Sequence, residues 1–237
     1  LNPMITTTYG TGELIQDALN KGYEKFILAI GGSATNDAGA GMLQALGARL
    51  INKNLNDITF GGAALKDIHH IDLKNFDDRI QHCNFVIATD VKNPLIGQDG
   101  ASHVFGKQKG ASSSEITLLE QNLTHWANIV ESTQHIRLHE LAGAGAAGGL
   151  GGAFKAFFPS EFNDGIQVVI NLIHLENYLE DADLVITGEG KIDFQTFYGK
   201  TPIGIAKCAQ KFNVPVIFIG GTVDVDIDML NDFGVVS

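Results

Sequence analysis

Cysteine is scarce: Cys83 and Cys208 are the only two in 237 residues, far apart and outside any CxxC spacing. That excludes a disulfide framework and a thiolate zinc knuckle, and it makes a reducing cytoplasm the default compartment. Positive charge is short as well, with 16 Lys and Arg against 27 Asp and Glu and a formal net charge of −11. No Lys/Arg block of the kind that tracks a nucleic-acid backbone occurs, so nucleic acid and anionic membrane are poor partners. No apolar run approaches a membrane span, and no basic stretch followed by an apolar one opens the chain. Leu1 is not an initiator Met, and "FGVVS" stops where a strand begins, so the chain reads as a piece of something longer. A GxSxG elbow is missing, which leaves a serine nucleophile without support. The pairs His69-His70 and His135/His139 have no companion ligand at a set spacing, which favours surface histidines over zinc.

What is present is glycine, 28 residues of it, within 44% apolar content, a composition suited to a soluble core with close packing. "GTGELIQDALNKGY" places Leu14, Ile15, Ala18 and Leu19 on one helical face, with Gly22 after its end. It feeds "KFILAI", a continuous apolar run typical of a buried parallel strand. "CNFVIATD", "DLVITGEG" and "VPVIFIGG" read the same way. "SSSEITLLEQNLTHWANIVEST" is an amphipathic helix capped among Ser112 to Ser114, with Ile116, Leu119, Leu123, Trp126, Ile129 and Val130 as its buried stripe. "DGIQVVINLIHLENYLEDA" reads as helix, and "TPIGIAKCAQKFN" as another with Pro202 near its first turn. Apolar strands alternating with helices give an α/β class with parallel sheet. A domain seam is expected near residue 175, dividing residues 1–175 from residues 176–237.

Four stretches carry the chemistry. "AIGGSATNDAGAGML" follows the first strand; its serine, threonine and bare backbone suit an anion, while Asn36 or Asp37 capping the next helix explains it nearly as well. "TGEGKIDFQ" brings Glu189, Lys191, Asp193 and Gln195 to the carboxyl end of a strand, where open α/β sheets bind ligands. "ATDVKNPL" does the same with Asp90. "YGKT" is not a Walker A, because Phe194 stands five residues before Gly199, yet Lys200 at a helix start suits a phosphate. "GAGAAG", Gly143 to Gly148, matches the dinucleotide pattern in letters, but no apolar strand precedes it, so close packing or an anion-facing loop is the better reading. An acidic protein still holds phosphates where N–H groups, a few lysines and a divalent cation supply local positive potential.

Taken in order, "GGSATNDAGAGMLQALGA", "ATDVKNPLIGQDGASHVFGKQKGA", "GAGAAGGLGGA" and "DLVITGEGKIDFQTFYGKTPIGIA" resemble the bacterial glycerate kinase family, the type that phosphorylates D-glycerate with ATP. The resemblance runs from "NPMITTTYGTGELI" to "VPVIFIGG". It implies two α/β domains with parallel or mixed sheets, unrelated to P-loop or protein kinases. One domain is Rossmann-like and assembled from both chain ends, and the active site lies in the interdomain cleft. The family's N-terminal segment and its last strand and helix are missing from this sequence, so the Rossmann-like domain is expected to be incomplete and activity of this stretch alone stays open.

Phosphoryl transfer to a hydroxyl needs donors around the phosphates, a carboxylate-bound Mg²⁺ and a base on the acceptor side. Gly31, Gly32, Ser33, Thr35 and Asn36 are the residues expected to contact phosphate or glycerate. Asp193 is expected as base or metal-bridging carboxylate, Lys200 as phosphate charge, and Asp37, Asp90 and Glu189 as carboxylates for Mg²⁺. ATP and Mg²⁺ are then the cofactors, D-glycerate the small-molecule partner, and a homodimer an allowed assembly. Transfer to the 2- or the 3-hydroxyl stays open. Two other classes compete: a binding or regulatory module that kept the fold without catalysis, and an NAD-dependent oxidoreductase resting on "GAGAAG".

Overall fold

The computed structural model describes residues 1–193, 196, 201–226 and 228–237. The chain divides into two compact units, Leu1–Phe162 and Asn163–Ser237.

The first unit opens with helix α1 (Tyr9–Asn20), which feeds strand β1 (Lys25–Ala29). Helix α2 (Ala40–Ala45) and the short antiparallel ribbon of β2 (Arg49–Ile51) and β3 (His70–Asp72) precede strand β4 (Asn84–Ala88). Strands β1 and β4 run parallel in register from Lys25↔Asn84 to Ala29↔Ala88, so their carboxyl ends lie side by side. Helices α3 (Ala101–Phe105), α4 (Ser113–Gln134) and α5 (Leu150–Phe157) follow, and β5 (Ser160–Asn163) completes a sheet of order β1-β4-β5. The core is aromatic where sheet meets helix: Phe26 stacks on Phe85 at 4.6 Å, and Phe158 meets Phe85 edge-on at 5.0 Å.

The expected stripe of α4 is largely realised. Leu119, Leu123, Trp126 and Val130 are buried, and Ser112 caps the helix in a reciprocal box with Glu115. On α1 the buried face is Gly12, Ile15 and Leu19, whereas Leu14, expected inside, is 74% exposed. The reason is close approach: a side chain at Gly12 would meet the Met42 carbonyl, so α1 turns its smallest residue, not Leu14, toward α2.

In the second unit, α6 (Gly165–Leu172) and α7 (Leu175–Leu179) precede a parallel β–α–β of β6 (Val185–Ile192), α8 (Thr201–Gln210) and β7 (Val216–Val223), with a short α9 (Asp228–Asn231) after it. The single helix expected over residues 164–182 is two, broken at His174, whose φ of 53° leaves the right-handed helix. The division falls at 162/163, ahead of the expected seam near 175, because Ile170 and Leu179 join the core of Ile192, Ile203, Ala206 and Val216.

Candidate active site

The first unit gathers its polar chemistry where β1 and β4 end. The loop after β1 leaves the sheet as Ile30-Gly31-Gly32-Ser33, and Thr89 and Val91 leave β4 beside it. These residues, with Phe105, Gln108, Lys109 and Ala147, line a cleft of about 190 Å³. A side chain added at Gly31 or Gly32 would meet nothing within 4 Å, so bare backbone faces open space there. Neighbouring strand ends, bare N–H groups and a hydroxyl make the geometry in which α/β sheets receive anions.

Beneath the cleft the same loop turns inward. Asp37 is fully buried and accepts five hydrogen bonds: Thr8 N–H at 2.8 Å, Thr8 Oγ1 at 2.9 Å, and Thr7 Oγ1, Gly39 N–H and Gly41 N–H at 3.3 Å each. One carboxylate thus satisfies orphan donors at the starts of both α1 and α2. Burial pushes its pKa up, against the pull of the bonds from Thr8, Gly41 and Gly39. Gly41 is required here, since a Cβ would fall 2.1 Å from Thr7 Oγ1. Asp37, expected as a Mg²⁺ ligand, is therefore committed to the chain's own donors. Asn36 is equally buried; its Nδ2 donates to Ser102 Oγ of α3 at 3.1 Å, while its Oδ1 has no partner among the described residues.

The "GAGAAG" glycines pack against this loop from the other side. Gly148 has φ +68°, and a Cβ on it would sit 2.0 Å from the Thr35 carbonyl; the Ala38 N–H donates to the Gly148 carbonyl. Backbone-on-backbone contact accounts for the pattern without a dinucleotide.

Lys109 is the residue that sequence reasoning missed. It is 4% exposed, and its Nζ donates to the Thr35 carbonyl at 2.7 Å and to Ser33 Oγ at 3.1 Å. Burial drops its pKa to about 8, partly offset by the field of Asp37. A signal was present in the spacing: Ser102, Gly106 and Lys109 are all buried at helical intervals, so the lysine follows the inward face of α3 into the turn after it.

Among the other expected residues, Asp90 lies exposed between Thr89 and Val91. In the second unit Glu189 pairs across the sheet with Gly220 and accepts a hydrogen bond from Thr196 Oγ1. Thr196 is fully buried, accepts from the Asp193 N–H at 3.1 Å and returns its own N–H to the Asp193 carbonyl at 2.9 Å. Lys191 Nζ lies 3.3 Å from Asp224 and 3.7 Å from Asp193. Asp193 follows the carboxyl end of β6 as expected, whereas Glu189 and Lys191, expected after the strand, lie within it because β6 runs on to Ile192. Lys200 and Gln195 lie outside the described residues. Among the described residues no three His, Cys, Asp or Glu side chains are grouped to hold a metal ion.

A family model described as the glycerate kinase family matches residues 1–237. The chain belongs to the glycerate kinase family. Over 234 residues it is 47% identical to a protein named glycerate 2-kinase of Escherichia coli, covering 99% of this chain and 61% of that protein. It is 50% identical over 234 residues to a glycerate kinase of Haemophilus influenzae, covering 99% and 62%. A solved structure, "Crystal structure of putative glycerate kinase 2 from Salmonella typhimurium LT2", superposes with a TM-score of 0.86 at 46% identity over 98% of this chain and 66% of that one. The chain therefore spans about three fifths of the length of the curated glycerate kinase relatives it matches.

Proposed function

We propose that this chain carries the larger part of an enzyme that transfers the γ-phosphoryl of ATP to D-glycerate. The observation that carries the reading is family membership over the whole chain, with relatives named as glycerate kinases at 47–50% identity. The cleft at the ends of β1 and β4 supports it by chemistry: phosphoryl transfer depends on placing and neutralising charge, and this cleft presents bare N–H groups, a hydroxyl and a lysine. Gly31, Gly32 and Ser33 serve as donors to an oxyanion. Thr35 and Asn36 act one layer below, Thr35 by holding Lys109 and Asn36 by holding α3. Asp193 takes the acceptor proton, and Lys200 neutralises phosphate charge. The name of the Escherichia coli relative points to the 2-hydroxyl as acceptor.

A Mg²⁺ carried on nucleotide phosphates needs only one or two protein carboxylates. Asp90 and Glu189 are the candidates, and Asp37 is withdrawn because its oxygens already accept five bonds. When bound, the ion would neutralise charge on the transferring group. A reducing cytoplasm fits the cysteine-poor composition, and a homodimer is an allowed assembly.

The test is a coupled assay of ADP release with and without D-glycerate, run on this chain and on a version extended to the length of its relatives, followed by phosphorus NMR of the product. Glycerate-dependent turnover by the extended version, with the phosphate on the 2-oxygen, is the expected result. Turnover by neither form overturns the reading in favour of a non-catalytic module.

A further inference from the structure

Lys109 poses a problem of charge. An ammonium withdrawn from water is costly unless it is paired. Lys109 is nearly fully buried, yet it forms no ion pair with any carboxylate among the described residues. Its two acceptors, the Thr35 carbonyl and Ser33 Oγ, are neutral, and its third N–H has no acceptor among the described residues. Among the described residues the one ionisable group whose field reaches it is Asp37, which faces five other donors. A buried, underpaired cation of this kind is a place where a partner is missing.

The position says what kind of partner. Lys109 and Ser33 both line the cleft above Gly31 and Gly32, at the adjacent carboxyl ends of β1 and β4. At this point the cleft presents the ammonium, the Ser33 hydroxyl and the open backbone of Gly31 and Gly32, with Thr89 and Gln108 as the other polar side chains of the lining. The group that satisfies them all is an oxyanion.

We propose that Lys109 is the anion-binding residue of the cleft, its ammonium leaving Ser33 Oγ to pair directly with an oxyanion of a bound ligand, while Ser33 Oγ turns its own proton to the same group. The oxyanion is the carboxylate of a small acid or a phosphate of a nucleotide, which share this chemistry. No bond is made or broken. The Thr35 carbonyl stays as the anchor that aims the ammonium, and the Asn36–Ser102 bond keeps α3 and the turn carrying Lys109 against the loop. The proposal rests on the kinase reading only for the choice of ligands.

The experiment follows the Lys109 Cε resonance by carbon NMR in the 237-residue chain, assigned by its disappearance in Lys109→Arg. Its titration, near pH 8 in the free chain, is recorded with D-glycerate, inorganic phosphate and ADP separately. A bound oxyanion should raise the midpoint by about one unit or more. Calorimetry on the same ligands should show Lys109→Met binding weaker by roughly 10- to 100-fold, the loss of one charge-assisted hydrogen bond. Wild-type affinity should fall above pH 8 while that of Lys109→Met stays flat. A shift with glycerate alone assigns the carboxylate, and a shift with phosphate or ADP alone assigns the nucleotide side.

A midpoint unmoved by all three ligands overturns the proposal and leaves Lys109 a staple for the loop; that reading needs no variant to fold. Glycerate-dependent turnover by the extended version with an unmoved Lys109 rejects this proposal and keeps the kinase reading. A Lys109 shifted by phosphate in a protein without turnover does the reverse.

Discussion

The two units contain the same element, a pair of parallel strands, and treat it in opposite ways. Strands β1 and β4 gain a third strand and aromatic cover, with Phe26, Phe85 and Ile87 at 9% exposure or less, and they fold their charge inward as Asp37 and Lys109. Strands β6 and β7 bury alternate residues such as Val216 and Ile192, but leave Ile186, Ile219 and Val223 more than half exposed. Their charges stay in water, with Lys191 53% and Asp224 71% exposed. Parallel strands are stable when both faces are covered; β4, between two partners, comes nearest to that, β1 still leaves Ile27 52% exposed, and β6 and β7 leave one face open along most of their length. The same charges therefore carry different weight: large where no solvent screens them, small where it does.

Substitutions can break or sharpen that contrast. Removing Asp37 should hurt most. Asp37→Ala strands buried donors at the starts of α1 and α2 and should cost at least about 3 kcal/mol, since two bonds to a charged group at roughly 1.5 to 3 kcal/mol each already reach that and Asp37 accepts five, measured by urea denaturation. A cost under about 1 kcal/mol, the level of a surface substitution, would place the carboxylate's role outside the fold. Next comes Asp193→Ala in a version extended to the length of the relatives. Its kcat should drop about 100-fold, as for loss of a general base, with the circular dichroism unchanged; an undiminished kcat removes Asp193 from the chemistry.

Lys109 supplies a pH test of burial. Its folded pKa lies below the unfolded value of 10.5 at about 8, so between these values the unfolded chain holds a proton that the folded chain has released. Stability relative to Lys109→Met should therefore rise from pH 8 toward 10.5, by up to roughly 3 kcal/mol, and be flat below pH 7. A difference that falls with pH contradicts the assignment. Smallest of all, Lys191→Ala breaks two exposed pairs in the second unit and should change stability by under about 0.5 kcal/mol. A larger loss would mean that the second unit buries its charge after all.

How much of this was legible follows from what each element needs. Strands β1 and β4 are short apolar runs and β6 and β7 open on apolar runs, "VIT" and "VIFI", so all four announce themselves. Strand β5, "SEFN", is polar and borrows its order from β4, while β2 and β3 are three residues each, too short for a period. The break at His174 has no Gly or Pro to mark it. At the site, the loop after β1 was readable as a strand-to-helix turn with open glycines, and Asp193 as a residue of a strand end. The role of Asp37 was legible in part: capping of the next helix was one of its two readings and is what the bonds from Gly39 and Gly41 show, whereas its hold on Thr7 and Thr8 at the start of α1, some 30 residues away, has no local signal. Lys109 was hidden by a rule that usually holds, that lysine stays in water.

Trp126 is the only tryptophan in the chain. It is fully buried in the first unit, with its ring 6.2 Å from that of Phe157. Tryptophan fluorescence is consequently a reporter on one unit alone, dark to anything that happens among residues 163–237. A denaturation curve read by emission and another read by far-ultraviolet circular dichroism will overlay if the units melt together and separate if they do not. The single indole turns an accident of composition into a built-in test of whether two differently finished sheets share one folding transition.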